Sequence, residues 1–435
     1  MIYSILISIL TCAALIALVF LKPSINLRGE QISIYWLPPL FGAVLLVAGG
    51  ALSLEQVWQG LTAPTAVNPL KILVLFFSMT LLSVFLDRAG FFRYLAETLL
   101  CKAGGSQKAL FFILYATVSV LTVFTSNDII ILTFTPFICY FTRRAGVDPL
   151  PYLFCEFVAA NTWSMILIIG NPTNIYLATG GGIGFFAYLK TMALPTLLAG
   201  FASRFALWLL FRKKLEAPLS RDFIPTARLD RPMVLLGVAH LGACILLMVL
   251  SSALDLPMWL ISFGAFCSLF FWAGLWLAFR RRNLSLLTDT LKRGPFEMAP
   301  FVLSMFVVVL ALKETGVTAA LTELLAPLPA IPAYGIASFF SANLMNNIPM
   351  SVLFAEITAG ITDASAIPAL YSAVIGSNLG AFFTPMGALA GMMWMQLLKA
   401  QGIRLSFGRF TKYGAAVALP TLLFALLGLM LLPLS

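Results

Sequence analysis

Ten stretches of this chain are apolar for long enough to cross a lipid bilayer, and that limits its fold more than any other feature. A helical crossing needs about 20 such residues. They lie near 2–21, 32–50, 70–87, 149–180, 188–210, 233–252, 257–279, 297–313, 367–398 and 413–433. Within hydrocarbon every backbone polar group must find an internal partner, which leaves helices as the spanning element. Composition agrees: 61% of residues are hydrophobic and only 10% charged, with a mean hydropathy of +0.99. The opening run "MIYSILISILTCAALIALVFLKP" has no basic segment ahead of it and no small-residue cleavage pattern, so it reads as a retained first span.

Several function classes fall away at once. No GxSxG, HExxH or phosphate-loop pattern occurs, and the loops are too short for a nucleotide fold, so the chain does not read as an enzyme. No cofactor is expected. The formal charge of +10 comes from residues in short loops between spans, where membrane topology accounts for it without nucleic acid. The cysteines (Cys12, Cys101, Cys139, Cys155, Cys244, Cys267) are scattered, without metal-ligand spacing.

Two further apolar stretches, 108–142 and 330–360, are interrupted midway by "TSND" and "MNNIP". Too long for one crossing and broken at the centre, each reads as a re-entrant helical hairpin. Basic residues cluster on one side of this layout: Arg88, Arg93, Lys102, Lys108, Arg143, Arg144, the loop 211–232, "RRRN", Lys292, Arg293 and the Lys399–Lys412 group. Placing them in the cytoplasm leaves only Lys71, Lys190 and Lys313 outside, and puts both termini outside.

The loop 211–232 divides the chain into halves, 1–210 and 233–435, each with five crossings and one hairpin. An odd number of crossings inserts the second half upside down. "SMTLLSVFLDRAG" (78–90) parallels "SMFVVVLALKETG" (304–316). A polar tip follows each, and then a span broken by "GNPTN" in one half and "GSNLGAFFTPMGALAG" in the other. The expected fold is therefore an all-α polytopic membrane protein. It has two inverted-topology repeats of five crossings plus one re-entrant hairpin each, with discontinuous helices at 149–180 and 367–398. Secondary transporters place their site between such repeats near the bilayer midplane.

Unwound backbone at membrane depth survives only where it lines a protein cavity. Pro172 has no N–H and disfavours helix at Asn171, and Gly170 permits the turn. Unwinding frees carbonyls for a cation or hydroxyl donor and turns a half-helix N-terminus toward an anion. The expected site gathers Ser126, Asn127 and Asp128 from the first tip, and Gly170, Asn171, Thr173 and Asn174 from the first break. Asn346 and Asn347 come from the second tip, and Ser377, Asn378, Thr384 and Gly387 from the second break. Asp128 is the only carboxylate among them. It reads as a proton-coupling group, or else as a cap of the second hairpin arm. Glu156 is expected near the cytoplasmic interface and His240 in a hydrogen-bonded core role. Arg204 is expected to snorkel toward the basic loop, while Glu356 reads equally as a surface or a functional residue.

"SNDIIILTFTPF", "GNPTN", "MNNIP" and "GSNLGAFFTPMGALAGMMWMQLL" together resemble the ion transporter superfamily, most closely its arsenite permease (ArsB) branch. The related anion permease or citrate-transporter-like branch stands next. The resemblance runs from about residue 70 to the C-terminus. It implies a scaffold and a mobile transport domain, and proton-coupled export of arsenite or antimonite from a bacterial-type inner membrane. It also implies a homodimer and, in some members, a cytoplasmic ATPase subunit. Ser377-Asn378 departs from the Cys-Asp pair expected in the arsenite branch, and "GNPTN" leans toward the carboxylate and sulfate carriers. The expected function is thus proton-coupled efflux of a small inorganic solute. The alternatives are an anion permease (dicarboxylate, sulfate or phosphate, sodium-coupled or not) and a sodium/proton antiporter.

Overall fold

The structure, a computed structural model of the full chain, describes residues 1–21, 24–27, 30–63, 68–102, 104–218 and 229–433. In the first half the helices are α1 (Ile2–Leu21), α2 (Leu37–Ala48), α3 (Leu54–Thr62), α4 (Pro69–Arg88), α5 (Phe91–Lys102), α6 (Gln107–Phe124), α7 (Asn127–Ala145), α8 (Leu150–Trp163), α9 (Pro172–Gly180) and α10 (Phe185–Phe211). The second half continues with α11 (Arg231–Val249), α12 (Ser251–Leu254), α13 (Met258–Phe279), α14 (Ser285–Lys292), α15 (Met298–Glu314), α16 (Val317–Leu325), α17 (Ala330–Met345), α18 (Asn347–Ala359), α19 (Ala366–Gly380), α20 (Leu389–Ala400) and α21 (Phe407–Met430). Among the described residues the only strands, Ser24–Leu27 and Glu30–Ser33, pair antiparallel between α1 and α2.

Among the described residues six helices are long and apolar enough to cross a membrane: α4, α6, α10, α11, α13 and α21. A seventh arises if α15 and α16, bent by 75°, are joined. The layout corrects one expected span. Residues 30–33 are strand, so the helix expected over 32–50 begins at Leu37, where Pro38 and Pro39 stand in its first turn. The first arm of the 108–142 hairpin, α6, is itself long enough to cross. Of the basic loop 211–232, residues 219–228 lie outside the described residues, while Arg212–Leu215 extends α10 as a 3-10 turn.

The series α4 to α10 recurs in kind as α15 to α21. A long apolar helix is followed by a short amphipathic one, two hairpin arms, an interrupted helix and a closing helix. Packing follows the same pairing. α6 lies on α8 as α17 lies on α19, and the hairpin arm α7 packs on α20 while its counterpart α18 packs on α9. Each hairpin thus leans on the broken helix of the other half. The closing helices α10 and α21 pack together, whereas α4, α11 and α13 form one bundle and α1, α2 and α15 another. Large side chains on α10, α11, α13 and α21, among them Phe201, Leu235, Phe271 and Leu423, point outward, as a lipid-facing surface requires.

Candidate functional site

The first interruption starts earlier than the glycine that marks it. α8 ends at Trp163, and two 3-10 turns, Ser164–Ile166 and Ile168–Gly170, carry the chain to an extended Asn171 (φ −152°, ψ 139°). Asn171 then caps α9, accepting from Thr173 N at 3.2 Å, with Pro172 in the first helical position where no N–H is needed. Gly170 is forced by closeness: a Cβ there would stand 2.1 Å from Ser164 O. The second interruption repeats the device. A Cβ on Gly387 would stand 2.1 Å from Gly380 O, and Ala388 is extended (φ −151°, ψ 157°) before α20.

The two interruptions are joined side chain to side chain. Asn378 Oδ1 accepts from Ser164 Oγ and from Asn171 Nδ2, each at 3.0 Å. Its Nδ2 donates to Asn174 Oδ1 at 2.7 Å and to Val374 O at 2.9 Å. Ser377 Oγ donates to Thr173 Oγ1 at 2.9 Å. Asn174 Nδ2 takes up the loosened carbonyls of Ser164 (2.8 Å) and Leu167 (3.0 Å). All these side chains are buried, and each amide N–H₂ in the cluster has a partner.

The tips differ. The second is closed on its own break. Asn346 (φ 77°) caps α18 through Ile348 N and donates to Met386 O at 3.3 Å. Asn343 Oδ1 accepts from Thr384 N and Oγ1 at 3.1 and 2.6 Å. Asn347 is buried in the first turn of α18. The first tip is open in the chemical sense. Asn127 Nδ2 donates to Asn161 Oδ1 at 3.0 Å, but Asn127 Oδ1, Ser126 Oγ and Thr162 Oγ1 are buried with no hydrogen-bond partner among the described residues. Buried polar atoms are almost always paired; these three oxygens, like the hydroxyls of Tyr176, Tyr334 and Thr411, have no partner among the described residues.

Asp128 stands apart from these groups. It lies in the first turn of α7, half-buried, and caps nothing. Glu156 is fully buried within the protein, with Thr135 and Trp394 as hydrogen-bond donors. The early end of α8 brings it nearer the break than a helix running to Gly170 would. His240 is held between Leu236 O (2.9 Å) and Ser268 Oγ (3.1 Å). Arg204 lies over the rings of Phe112 and Phe201 on the outer face of α10, and Glu356 pairs with Lys313 at 2.7 Å.

Sequence reading missed Asn161, Thr162 and Asn343. Asn161 was findable: it stands nine residues before Gly170, as Asn378 stands nine before Gly387. Asn343 and Thr162 carried no such signal.

Apolar helices enclosing a buried polar core of paired hairpin tips and interrupted helices define a multi-pass membrane transporter. The profile of the family described as Citrate transporter (CitMHS) matches residues 34–372, and the chain belongs to that family. It is also similar to the Arsenical pump membrane protein of Escherichia coli, 26% identical over 425 residues, covering 93% of this chain and 95% of that one. The protein of the same name from Yersinia enterocolitica is 26% identical over 426 residues, with the same coverage. Among solved structures the fold resembles the YdaH transporter of Alcanivorax borkumensis (TM-score 0.56, 15% identity, 98% of each chain). MtrF of Neisseria gonorrhoeae is comparable (TM-score 0.56, 14% identity, 100% of this chain and 95% of that one).

Proposed function

We propose that this chain is a proton-coupled efflux transporter of a small neutral hydroxide, arsenite or antimonite, in a bacterial-type inner membrane. The observation that carries this reading is the set of unpartnered buried oxygens on the first tip and on α8, which bonds to it through Asn161: Asn127 Oδ1, Ser126 Oγ and Thr162 Oγ1. A trihydroxide brings three O–H donors to three waiting acceptors. At the first tip and the joined interruptions the amide N–H₂ groups of Asn127, Asn171, Asn174 and Asn378 already donate to protein oxygens, which leaves them unavailable to a polycarboxylate. The likeness to proteins named as arsenical pumps supports the same solute.

In this reading residues 1–210 and 233–435 are inverted repeats about the 211–232 linker, with both termini outside. The core of α6–α10 and α17–α21 moves against the remaining helices to alternate access. Asp128 contributes the negative charge beside the tip. The family profile favours a second reading, import or exchange of a polycarboxylate. Proteoliposomes separate the two: arsenite loaded inside should drive proton movement and exchange with labelled arsenite, while citrate drives neither. Citrate uptake without arsenite exchange would sink the first reading and leave the second.

A further inference from the structure

Glu156, midway along α8, is wholly enclosed. Thr135 of α7 donates its hydroxyl toward both carboxylate oxygens, at 3.0 and 3.1 Å, and Trp394 of α20 donates its indole N–H to Oε2 at 3.3 Å. No cationic side chain pairs with it among the described residues. The titratable groups beside it are the thiols of Cys139 on α7 and Cys155 on α8. Arg143, one turn beyond Cys139, bonds instead to Gln401 O. A bare carboxylate in such surroundings loses far more hydration than neutral hydrogen bonds return. It must bind a cation or a proton.

The partners decide between them. A hard cation needs oxygen ligands around it, and an indole N–H is a donor with no lone pair to offer. A proton fits. Protonated at Oε1, the carboxyl donates to Thr135 Oγ1, whose own hydroxyl turns back toward the helix carbonyls of α7 as threonines do, and Oε2 still accepts from Trp394. Deprotonated, the carboxylate accepts from Thr135. One hydroxyl rotation serves both states.

A cleft lies across α7 from the carboxyl. The opposite face of α7 presents Thr133, Pro136 and Phe137 to a cleft of about 830 Å³ shared with Asp87 and Arg293. Thr135 adjoins Pro136, which has no N–H and leaves the carbonyl of Leu132, also on the cleft, without its helical partner. α7 thus faces the cleft with Thr133 and the carboxyl with Thr135.

We propose that Glu156 is a proton-binding site of the transport core, loaded and emptied in each cycle through the cleft beside α7. The proposal rests on the proton-coupled reading above and assigns the coupling proton a place distinct from Asp128. It also links the first hairpin arm, the first broken helix and the second through one titratable group.

The test uses the full chain in proteoliposomes with labelled arsenite. Glu156→Gln keeps the shape of the neutral acid and cannot release a proton. Expected is loss of pH-gradient-driven arsenite accumulation together with a flattened pH profile of arsenite exchange at equal pH. If E156Q still accumulates arsenite under a gradient as the unaltered protein does, the assignment to Glu156 is wrong and the coupled reading survives. If the unaltered protein shows no gradient-driven flux, both fall. Should E156Q not fold, infrared difference spectra between low and high pH report the same group through its carboxylic C=O band. A band that shifts in Thr135→Val supports the site, and spectra identical in the two proteins overturn it.

Discussion

Lys313 closes α15 and holds Glu356 on the hairpin arm α18 at 2.7 Å. At the matching place in the first half, Asp87 Oδ1 accepts a 3.0 Å hydrogen bond from Thr133 on the hairpin arm α7. Asp87 and Lys313 are each the tenth residue of the paired segments 78–90 and 304–316. Opposite charges at equivalent positions thus tie each hairpin to the long helix that precedes it. If the hairpins travel with the core, both ties must open during transport.

That yields the first expectation. A half-exposed ion pair contributes about 1 kcal/mol at most, so Glu356→Gln should change the transport rate only a few-fold. Joining the same two positions with a short thiol-reactive cross-linker in a K313C/E356C variant should stop transport, and cleaving the linker should restore it. Undiminished flux in cross-linked protein would show that the two helices do not separate.

The first tip makes an expectation that separates binding from folding. Thr162→Val replaces a buried hydroxyl that has no partner, and an unsatisfied buried group costs about 1–3 kcal/mol. The variant should therefore be at least as thermally stable as the unaltered protein while its KM for arsenite rises. Asn127→Ala should raise KM as well, but lower the melting temperature, because it also strands Asn161 Oδ1. Thermal unfolding in detergent and exchange kinetics in proteoliposomes read the two effects apart. A T162V protein that loses stability and keeps its KM would mean the orphan oxygens serve packing rather than solute.

The clusters legible in the sequence were those with no other physical use. "GNPTN" and "MNNIP" put proline, glycine and asparagine inside apolar runs, where only a cavity can accept their backbone groups. The hairpin turns accordingly fall between Phe124 and Asn127 and between Met345 and Asn347. What could not be read was depth. Trp163 and Ser164 look like ordinary helix, yet the chain leaves the α-helix there and not at Gly170. Glu156, counted back from Gly170, therefore stands only eight residues before the break at Ser164. The strands at 24–27 and 30–33 are too short for alternation to distinguish from the ends of the flanking spans.

Asn378 should behave as the keystone of the joined interruptions. It makes its hydrogen bonds to Ser164, Asn171, Asn174 and Val374 with both ends of one amide. Asn378→Ala leaves several buried groups unpaired at about 1–3 kcal/mol apiece. The expected result is a large fall in melting temperature, well beyond that of Asn161→Ala, whose side chain bonds to Asn127 and Phe157 O. Equal losses in the two variants would show that the interruptions are held by apolar packing instead.

The closing glycines give the sharpest contrast, because the same substitution is harmless or ruinous according to place. At Gly170 and Gly387 an added Cβ would meet backbone oxygen at 2.1 Å, and backbone cannot swing aside as the end of a side chain can. Separating those atoms to an ordinary contact means moving the unwound strand away from Ser164 or Gly380. That movement would break the bonds from Asn174 to the Ser164 and Leu167 carbonyls in the first half. Gly170→Ala and Gly387→Ala should therefore each abolish arsenite exchange and reduce the yield of folded protein. Gly264→Ala, on α13 with nothing within 4 Å of the new methyl, should leave both unchanged. Exchange assays and size-exclusion profiles of the three purified variants check this directly. Normal transport by G170A would mean that the 3-10 turns of the first interruption are not needed in the working protein.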